Sequence, residues 1–475
     1  MDAKAFLLIE KKYRLNEFEL NGIQVWNIIR TDLWNYDICS KSLGLGNSHY
    51  SERMSFLSML ALIKSVFNGF LYKLEKSDYL VICHERRIYN RNYYDDPYTE
   101  LIFQQLKGKT TAVEKPFHYH HLSPTREKIF PLDWIIIKGN CYSLLKKHLK
   151  TPEYRNIRST IRNAFKAPLE EIKIQYSWER NLEDIFSECA TRYFIYKKLL
   201  KGYQNIMNKV LPSALIETVY YSFYNMPFNE IARKMKIPVV ELQHGTIYDN
   251  HIAYSYHSEA QPWQLPTKML LFSDYWKKFI HVPIEYDSVV AVGYPWLERE
   301  INKAILAIPR KKGRILFVSQ GTIGKELSML AREFCLSTKN NDYEIIFKLH
   351  PADTNDWERR YPELLHPGIT VYSDNNSSLY GLMASSEFQV GVYSTAIYEG
   401  LGFGLKTFIL QVGHYLNMQP LVDAGYASYI KNSKDLLLQL KQSSNICNIE
   451  RNAPDTFWKK NSLKNIMKEI DNSIV

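Results

Sequence analysis

The sequence predicts an α/β protein built from two successive Rossmann-like, doubly wound parallel-sheet domains facing a cleft, preceded by an N-terminal helical extension. Three observations lead there. Short apolar runs alternate with helix-length segments, each run ends in a loop of polar or small residues, and the alternation breaks once, around Lys303 to Arg314, before starting afresh.

At 475 residues the chain is too long for one ordinary core and suits two domains of roughly 150 to 250 residues each. Apolar residues at 45% and charged residues at 23% exclude a disordered chain. The 34 Tyr and nine Trp suit carbohydrate surfaces, although most are expected in the core. A net charge of +10 and a pI near 9.0 favour contact with something anionic. The basic residues are scattered in short runs such as Arg86-Arg87, Lys146-Lys147 and Arg310-Lys311-Lys312. Without a dense basic stripe, nucleic acid is not an expected partner, whereas an anionic membrane surface is compatible. The six cysteines include no C-x-x-C pair, so neither a zinc knuckle nor a disulfide framework is expected. The first residues lack a signal-peptide core, and no window reaches about 18 uninterrupted apolar residues. A cytoplasmic protein is expected, peripheral at most on the inner face of the membrane.

Residues 54 to 76 carry Phe56, Met59, Leu60, Ile63, Phe67, Phe70, Leu71 and Leu74 at helical spacing. This amphipathic helix is expected to pack against the body of the protein, with a bilayer surface as the alternative. Asp78 to Cys83, ended by His84-Glu85-Arg86-Arg87, then reads as a buried parallel strand. Trp134 to Ile137 is a further strand candidate, and residues 182 to 209 form a long helix stopping before Pro212. A strand at Leu215 to Tyr221 leads to a helix at Asn229 to Lys236 and a strand at Ile237 to Leu242, which delivers Gln243-His244-Gly245 into a loop. Leu270 to Phe272 and Val289 to Val292 are two more strands. Pro309, three basic residues and Gly313 mark the interdomain linker. Beyond it, Ile315 to Val318 ends in Ser319-Gln320-Gly321, Glu344 to Leu349 in His350-Pro351, and Phe388 to Val392 in Tyr393-Ser394-Thr395.

In an open parallel sheet, ligands sit beyond the carboxyl ends of the strands, where helix N-termini offer unpaired N–H groups. Ser394 and Thr395 have this position and make a cradle for a phosphate. Glu399 lies one turn further along, able to accept from ribose hydroxyls; an N-cap followed by a helix-stabilising acid is the equally simple alternative. His350 can donate to a phosphate or a leaving group, with Pro351 fixing the backbone behind it, and Lys348 precedes it in the strand. The Ser319-Gln320-Gly321 loop can offer backbone N–H groups to a phosphate but lacks the Lys-Ser/Thr ending of a Walker loop. In the first domain His244 is placed to orient an acceptor or act as a base. His118, His120 and His121, with no paired carboxylate nearby in the sequence, read as a surface loop rather than a metal site.

The series Glu241-Leu242-Gln243-His244-Gly245, Phe347-Lys348-Leu349-His350-Pro351 and Val392-Tyr393-Ser394-Thr395-x-x-x-Glu399 resembles bacterial capsule and lipopolysaccharide glycosyltransferases of the GT-B architecture, over roughly residues 78 to 440. The most similar groups use CMP-activated acidic sugars: sialyltransferases, polysialyltransferases and Kdo transferases. Teichoic-acid glycerophosphotransferases that use CDP-glycerol share a similar layout. The resemblance implies that His350, Ser394 and Thr395 bind the CMP phosphate and that Glu399 meets the ribose or base. It departs from the sialyltransferases in lacking their acidic pair followed by Gly, so the general base stays open among His244, Glu85 and Asp95, in that order. The function it implies is metal-independent transfer of an acidic 2-keto sugar to an oligosaccharide or lipid-linked glycan of the bacterial surface, with no cofactor beyond the nucleotide-sugar donor. A CDP-alditol phosphotransferase and a non-catalytic polysaccharide-assembly protein are the alternatives. The expected organisation is a helical extension over 1–77, an acceptor domain over 78–305, a nucleotide-sugar domain over 312–450, and a C-terminal helix over 451–475 crossing back to the first domain.

Overall fold

The computed structural model describes the chain except residues 1, 40–55, 86, 91–92, 118–120, 122–128, 339–341, 351–352, 354–355, 374–377, 446–452 and 475. Two parallel sheets organise it. The first contains β1 (Tyr79–Ile82), β2 (Thr110–Glu114), β3 (Ile129–Pro131), β4 (Ala214–Thr218), β5 (Val239–Leu242), β6 (Lys268–Leu271) and β7 (Val289–Ala291), in the spatial order β7-β6-β5-β4-β1-β2-β3. The second contains β8 (Arg314–Val318), β9 (Glu344–Lys348), β10 (Ile369–Tyr372), β11 (Phe388–Gly391), β12 (Lys406–Leu410) and β13 (Ala427–Ile430), in the order β10-β9-β8-β11-β12-β13. Every ladder in both sheets is parallel. In each sheet the strand order reverses direction once, between β1 and β4 and between β8 and β11, and such switch points open a crevice at the carboxyl edge. The strands are apolar because helices cover both faces: all residues of β1, β4, β5 and β8 are buried.

The helices relevant to the site are α1 (Lys4–Lys12), α2 (Phe56–Leu71), α3 (Asp133–His148), α4 (Pro152–Tyr176), α5 (Leu182–Val210), α6 (Met226–Lys234), α7 (Pro295–Ala307), α8 (Gly324–Ser337), α9 (Leu379–Ser385), α10 (Thr395–Gly402), α11 (Ala453–Phe457) and α12 (Ser462–Ile474). Local chemistry sets their starts. Thr151 caps α4, with Pro152 in the first turn, and Asn181 caps α5 by accepting from the Glu183 N–H. Among the described residues no helix is long and apolar enough to cross a membrane.

Three expectations need correction. Trp134 to Ile137 is not a strand but the first turns of α3. A four-residue apolar run does not reveal its period, and the longer pattern of Ile136, Gly139 and Ser143, buried against α5, is helical. The strands at this place in the sheet are β2 and β3, where Thr110 and Thr111 lower the apolar signal. The break between the sheets is also shorter than Lys303 to Arg314, because α7 runs to Ala307 and β8 begins at Arg314. Finally, the described part of α2's apolar stripe is not wholly buried: Ile63, Phe67 and Leu71 are 58%, 62% and 70% exposed, while Ser65 and Gly69 face the protein.

The N-terminal segment packs Phe6, Trp26 and Trp34 with Phe165 and Phe194 of α4 and α5. Within it, the fully buried Arg30 pairs with Glu10 and donates to the backbone carbonyls of Ile252 and Ser255, tying this segment to the loop after β5. One apolar cluster runs through both sheets' surroundings, joining Trp276 and Trp296 to Tyr398, Leu401 and Ile409. The chain passes between the sheets twice, at 308–313 and again near α11. Trp458 donates to the Tyr398 carbonyl at 3.0 Å, whereas the next residue, Lys459, donates its backbone N–H to Phe272 at 2.8 Å. α12 then docks on the first sheet's side, with Lys268 bound to Glu469 and Asn465 to the Val292 carbonyl. Gly293, at φ +104°, leaves room for Lys459; a Cβ there would collide with its carbonyl oxygen.

Candidate active site

On the second sheet, β8 and β11 deliver their loops side by side at the switch point. Gln320 donates to the Tyr393 carbonyl at 2.9 Å and accepts from the Tyr393 N–H at 3.1 Å, so its amide clamps the two loops together. Thr322 and the Tyr393 hydroxyl add a 2.7 Å hydrogen bond. Ser319 is buried, and among the described residues its hydroxyl has no hydrogen-bond partner. Gly321 lies beside Asp353: a Cβ there would be 3.7 Å from the Asp353 carboxylate, which pairs with Arg360 at 2.7 Å. Lys348 ends β9 half-buried, and His350 is exposed, its carbonyl accepting from the Asp353 N–H at 2.8 Å. Pro351 lies outside the described residues.

Ser394 is the N-cap of α10, its hydroxyl accepting from the Ala396 N–H at 3.2 Å. The capping alternative therefore describes Ser394 well, and with the Ile397 N–H bonded to the Ser394 carbonyl at 3.0 Å it is the Thr395 N–H that begins the helix at the crevice. Thr395 behaves differently. Its hydroxyl accepts from the Thr246 N–H of the first domain at 3.4 Å, and a Cβ on Gly245 would be 3.6 Å from it. The loop carrying His244 and the N-terminus of α10 thus face each other across the cleft. One turn along, Glu399 accepts from the Tyr380 hydroxyl of α9 at 3.2 Å. Burial pushes the Glu399 carboxyl up to about 7, and the Tyr380 hydrogen bond offsets only part of this.

On the first sheet, Gln243 is buried and its amide holds the loop, donating to the Gly245 carbonyl and accepting from the Phe272 N–H, both at 2.8 Å. His244 is half-buried between aromatic groups. Its ring lies 6.0 Å from Tyr221 and 6.2 Å from His84, its Nε2 is 3.3 Å from the Tyr221 hydroxyl, and its carbonyl accepts from the Tyr98 hydroxyl at 2.7 Å. Asp96 organises this surround: it accepts from the backbone N–H groups of His84 and Tyr98, each at 2.9 Å, and from the Thr99 hydroxyl at 2.6 Å. Tyr98 also stacks on Tyr294 at 5.6 Å.

The three candidate bases separate on this geometry. His244 stands in the cleft. Burial would raise the Glu85 carboxyl, but Lys115, 3.3 Å away, and His84 overcome it and hold the group below its ordinary range, as a weakly basic ion-paired carboxylate. Asp95 is buried in a two-stranded hairpin opposite Ile88, and its neighbour Asp96 is the acid that positions the wall around His244. Sequence reasoning passed over His84, Asp96, Tyr98, Tyr221, Tyr294 and Tyr380. Only His84 carried a signal, as a polar residue at a strand end; the tyrosines were indistinguishable from core residues.

His121 also differs from expectation. It is no surface-loop residue without a carboxylate, because its ring nitrogens lie 2.6 Å from Glu114 and 2.7 Å from Asp133, and Arg87 also pairs with Glu114. Burial lowers the imidazole's affinity for a proton, but Asp133 and Glu114 outweigh it and raise His121 to about 9, so it is a charged brace between the end of β2 and the start of α3. His118 and His120 lie outside the described residues. Among the described residues no group of His, Cys, Asp and Glu forms a metal-binding cluster.

Behind the His244 loop, Glu217 of β4 and Glu241 of β5 are register partners and both buried. Glu241 accepts from the Tyr220 N–H at 3.2 Å and the Tyr254 hydroxyl at 3.0 Å; burial nevertheless raises it to about 8. Glu217 is raised as well, by burial and by Glu241.

No protein-family model and no curated protein matches the chain. Solved structures do. One described as a UDP-N-acetylglucosamine 2-epimerase from Listeria monocytogenes is 11% identical, with 83% of this chain and 96% of that chain covered and a TM-score of 0.50. The UDP-GlcNAc 2-epimerase from Neisseria meningitidis bound to UDP-GlcNAc is 10% identical over 83% of this chain and 99% of its own, at a TM-score of 0.49. A glycosyltransferase from Streptomyces nogalater is 12% identical over 60% of this chain and 78% of its own, at 0.40. Likeness at such identity concerns the fold, and with two parallel α/β sheets facing a cleft the fold is GT-B.

Proposed function

We propose that the protein is a glycosyltransferase that moves a sugar from a nucleotide-activated donor to a glycan hydroxyl. The observation that carries this reading is the Thr246 to Thr395 contact, which sets His244 of one domain against the N-terminus of α10 in the other. In the proposed reaction the bond between the sugar's anomeric carbon and the donor phosphate oxygen breaks through an oxocarbenium-like transition state, and the acceptor hydroxyl oxygen bonds to that carbon in its place. Negative charge then grows on the departing phosphate. The N–H groups of α10, the Ser394 and Thr395 hydroxyls and His350 stabilise that charge, and His244 takes the proton of the acceptor hydroxyl.

The finer assignment is a CMP-linked donor carrying an acidic 2-keto sugar, such as sialic acid, a related nonulosonic acid or Kdo, with a surface glycan as acceptor. Its support is the order and spacing of the His244, His350 and Ser394-Thr395-Glu399 motifs. A thermal-shift series with CMP, CDP, UDP and GDP, followed by the matching sugar donors, tests it, because a ligand that binds only the folded state raises the melting temperature. Stabilisation by CMP and turnover of a CMP-sugar are expected. A shift with UDP alone replaces the donor class, and turnover of CDP-glycerol makes the protein a phosphotransferase.

A further inference from the structure

We infer that α2 and α3 form a docking face for an anionic lipid surface. Along α2, Ile63, Phe67 and Leu71 repeat every four residues and point to solvent, while the opposite side, Ser65 and Gly69, lies against the protein, Gly69 beside Pro131. The helix packs on α3 and β3. α3 in turn buries Ile136, Gly139 and Ser143 toward α5 and leaves Trp134 and Leu145 45% and 58% exposed, with Leu149, just past its end, 66% exposed. Two neighbouring helices thus turn their large apolar side chains outward, an arrangement that a core-facing role cannot explain.

The charge on this face identifies the occupant. α2 contains no Asp or Glu, and its one charged residue, Lys64, is exposed. The only acid in α3, Asp133, is buried on His121. Lys138 and Lys147 are exposed on α3, Lys150 follows it, and Lys73 follows α2, where the next acid, Glu75, is taken up in an ion pair with Lys109. Apolar rows rimmed by one sign of charge suit the boundary between anionic headgroups and acyl chains, where the rings and aliphatic side chains enter and the lysines stay at the phosphates. A second copy of the chain fits worse, because a two-fold contact would set the same lysines against each other. The face belongs to the first domain, so docking would hold the cleft near lipid-linked acceptors, but it stands whether or not the donor assignment holds.

The test is co-sedimentation of the full chain with vesicles of phosphatidylcholine containing about one-third phosphatidylglycerol, against phosphatidylcholine alone, at about 0.15 M salt. Binding to the anionic vesicles is expected. The double variant Phe67→Ser, Leu71→Ser should weaken it by about tenfold or more, and the triple variant Lys64→Glu, Lys138→Glu, Lys147→Glu should weaken it similarly. Both sets lie on exposed residues, so melting temperature and nucleotide stabilisation should stay at wild-type values; Leu145→Ser serves if the double variant does not fold. Wild-type protein that remains in the supernatant overturns the proposal, as does binding that both variants retain. So does a dimer that the apolar variant dissociates in a protein indifferent to vesicles, which would assign the face to a second copy.

Discussion

Replacing Glu399 by Gln separates a nucleotide-binding carboxylate from a structural one. Half-buried beside Tyr380, Glu399 keeps its proton up to about pH 7, well above the ordinary 4.5. At about pH 6 roughly one molecule in ten is ionised, and at about pH 8 roughly nine in ten. A hydrogen bond from a ribose hydroxyl to a carboxylate is stronger than one to a neutral group by about 1 to 1.5 kcal/mol, or about tenfold in affinity. The glutamine side chain has the same length, can accept from Tyr380 and stays neutral throughout. The quantity to measure is the ratio of wild-type to variant association constants for CMP by titration calorimetry, in which the nucleotide's own phosphate ionisation cancels. The ratio should be near one at about pH 5.5, rise to about ten by about pH 8.5, and turn at or slightly below pH 7, since ligand binding to the ionised form lowers its pKa. A flat ratio would falsify the ribose role. A turn near the ordinary carboxylate range would refute the burial argument instead.

The His350→Ala variant should abolish transfer with an unchanged melting temperature, because His350 is exposed; undiminished turnover removes it from the leaving-group site. Glu241→Gln tests the buried pair. A carboxyl raised from 4.5 to about 8 binds its proton more tightly folded than unfolded, so wild-type stability falls as pH rises across that window. The substitution should leave the denaturation midpoint unchanged near about pH 5 and raise it by about pH 8, with about 5 kcal/mol as an upper bound at ~1.4 kcal/mol per pH unit; parallel pH profiles for the two proteins would count against it. Gly293→Ala should destabilise the chain by several kcal/mol, roughly 2 to 4, through the positive φ and the collision with Lys459. A thermal melt within about a degree of wild type would show that the C-terminal segment does not need that close approach.

What the sequence disclosed follows from how local each signal is. Strand ends were legible because a buried parallel strand must be apolar and its carboxyl end must not be, so Ser319, His350, Ser394 and His244 all emerged at loops on the sheets' ligand edges. Trp134 to Ile137 misled because four apolar residues fit either period until Gly139 and Ser143 are set against α5. The wall around His244 was hidden for a different reason. Asp96, Tyr98, Tyr221 and Tyr294 come from segments far apart in sequence, and only strand order brings them together. An amide at a strand end can bind a ligand or clamp a neighbouring loop, which the sequence does not distinguish; the hydrogen bonds of Gln320 and Gln243 are those of clamps.

The double passage of the chain between the sheets has a mechanical consequence. Trp458 donates to the Tyr398 carbonyl of the second domain while its ring lies 4.9 Å from Phe272 of the first, and the Lys459 N–H goes to the Phe272 carbonyl, so this segment is a rivet through both domains rather than a loose tether. The apolar cluster that packs Trp276 on Tyr398 surrounds it. Parting the His244 loop widely from the start of α10 would have to unpack these rings, so the Thr246 to Thr395 contact is held by the core behind it as well as by its own hydrogen bond.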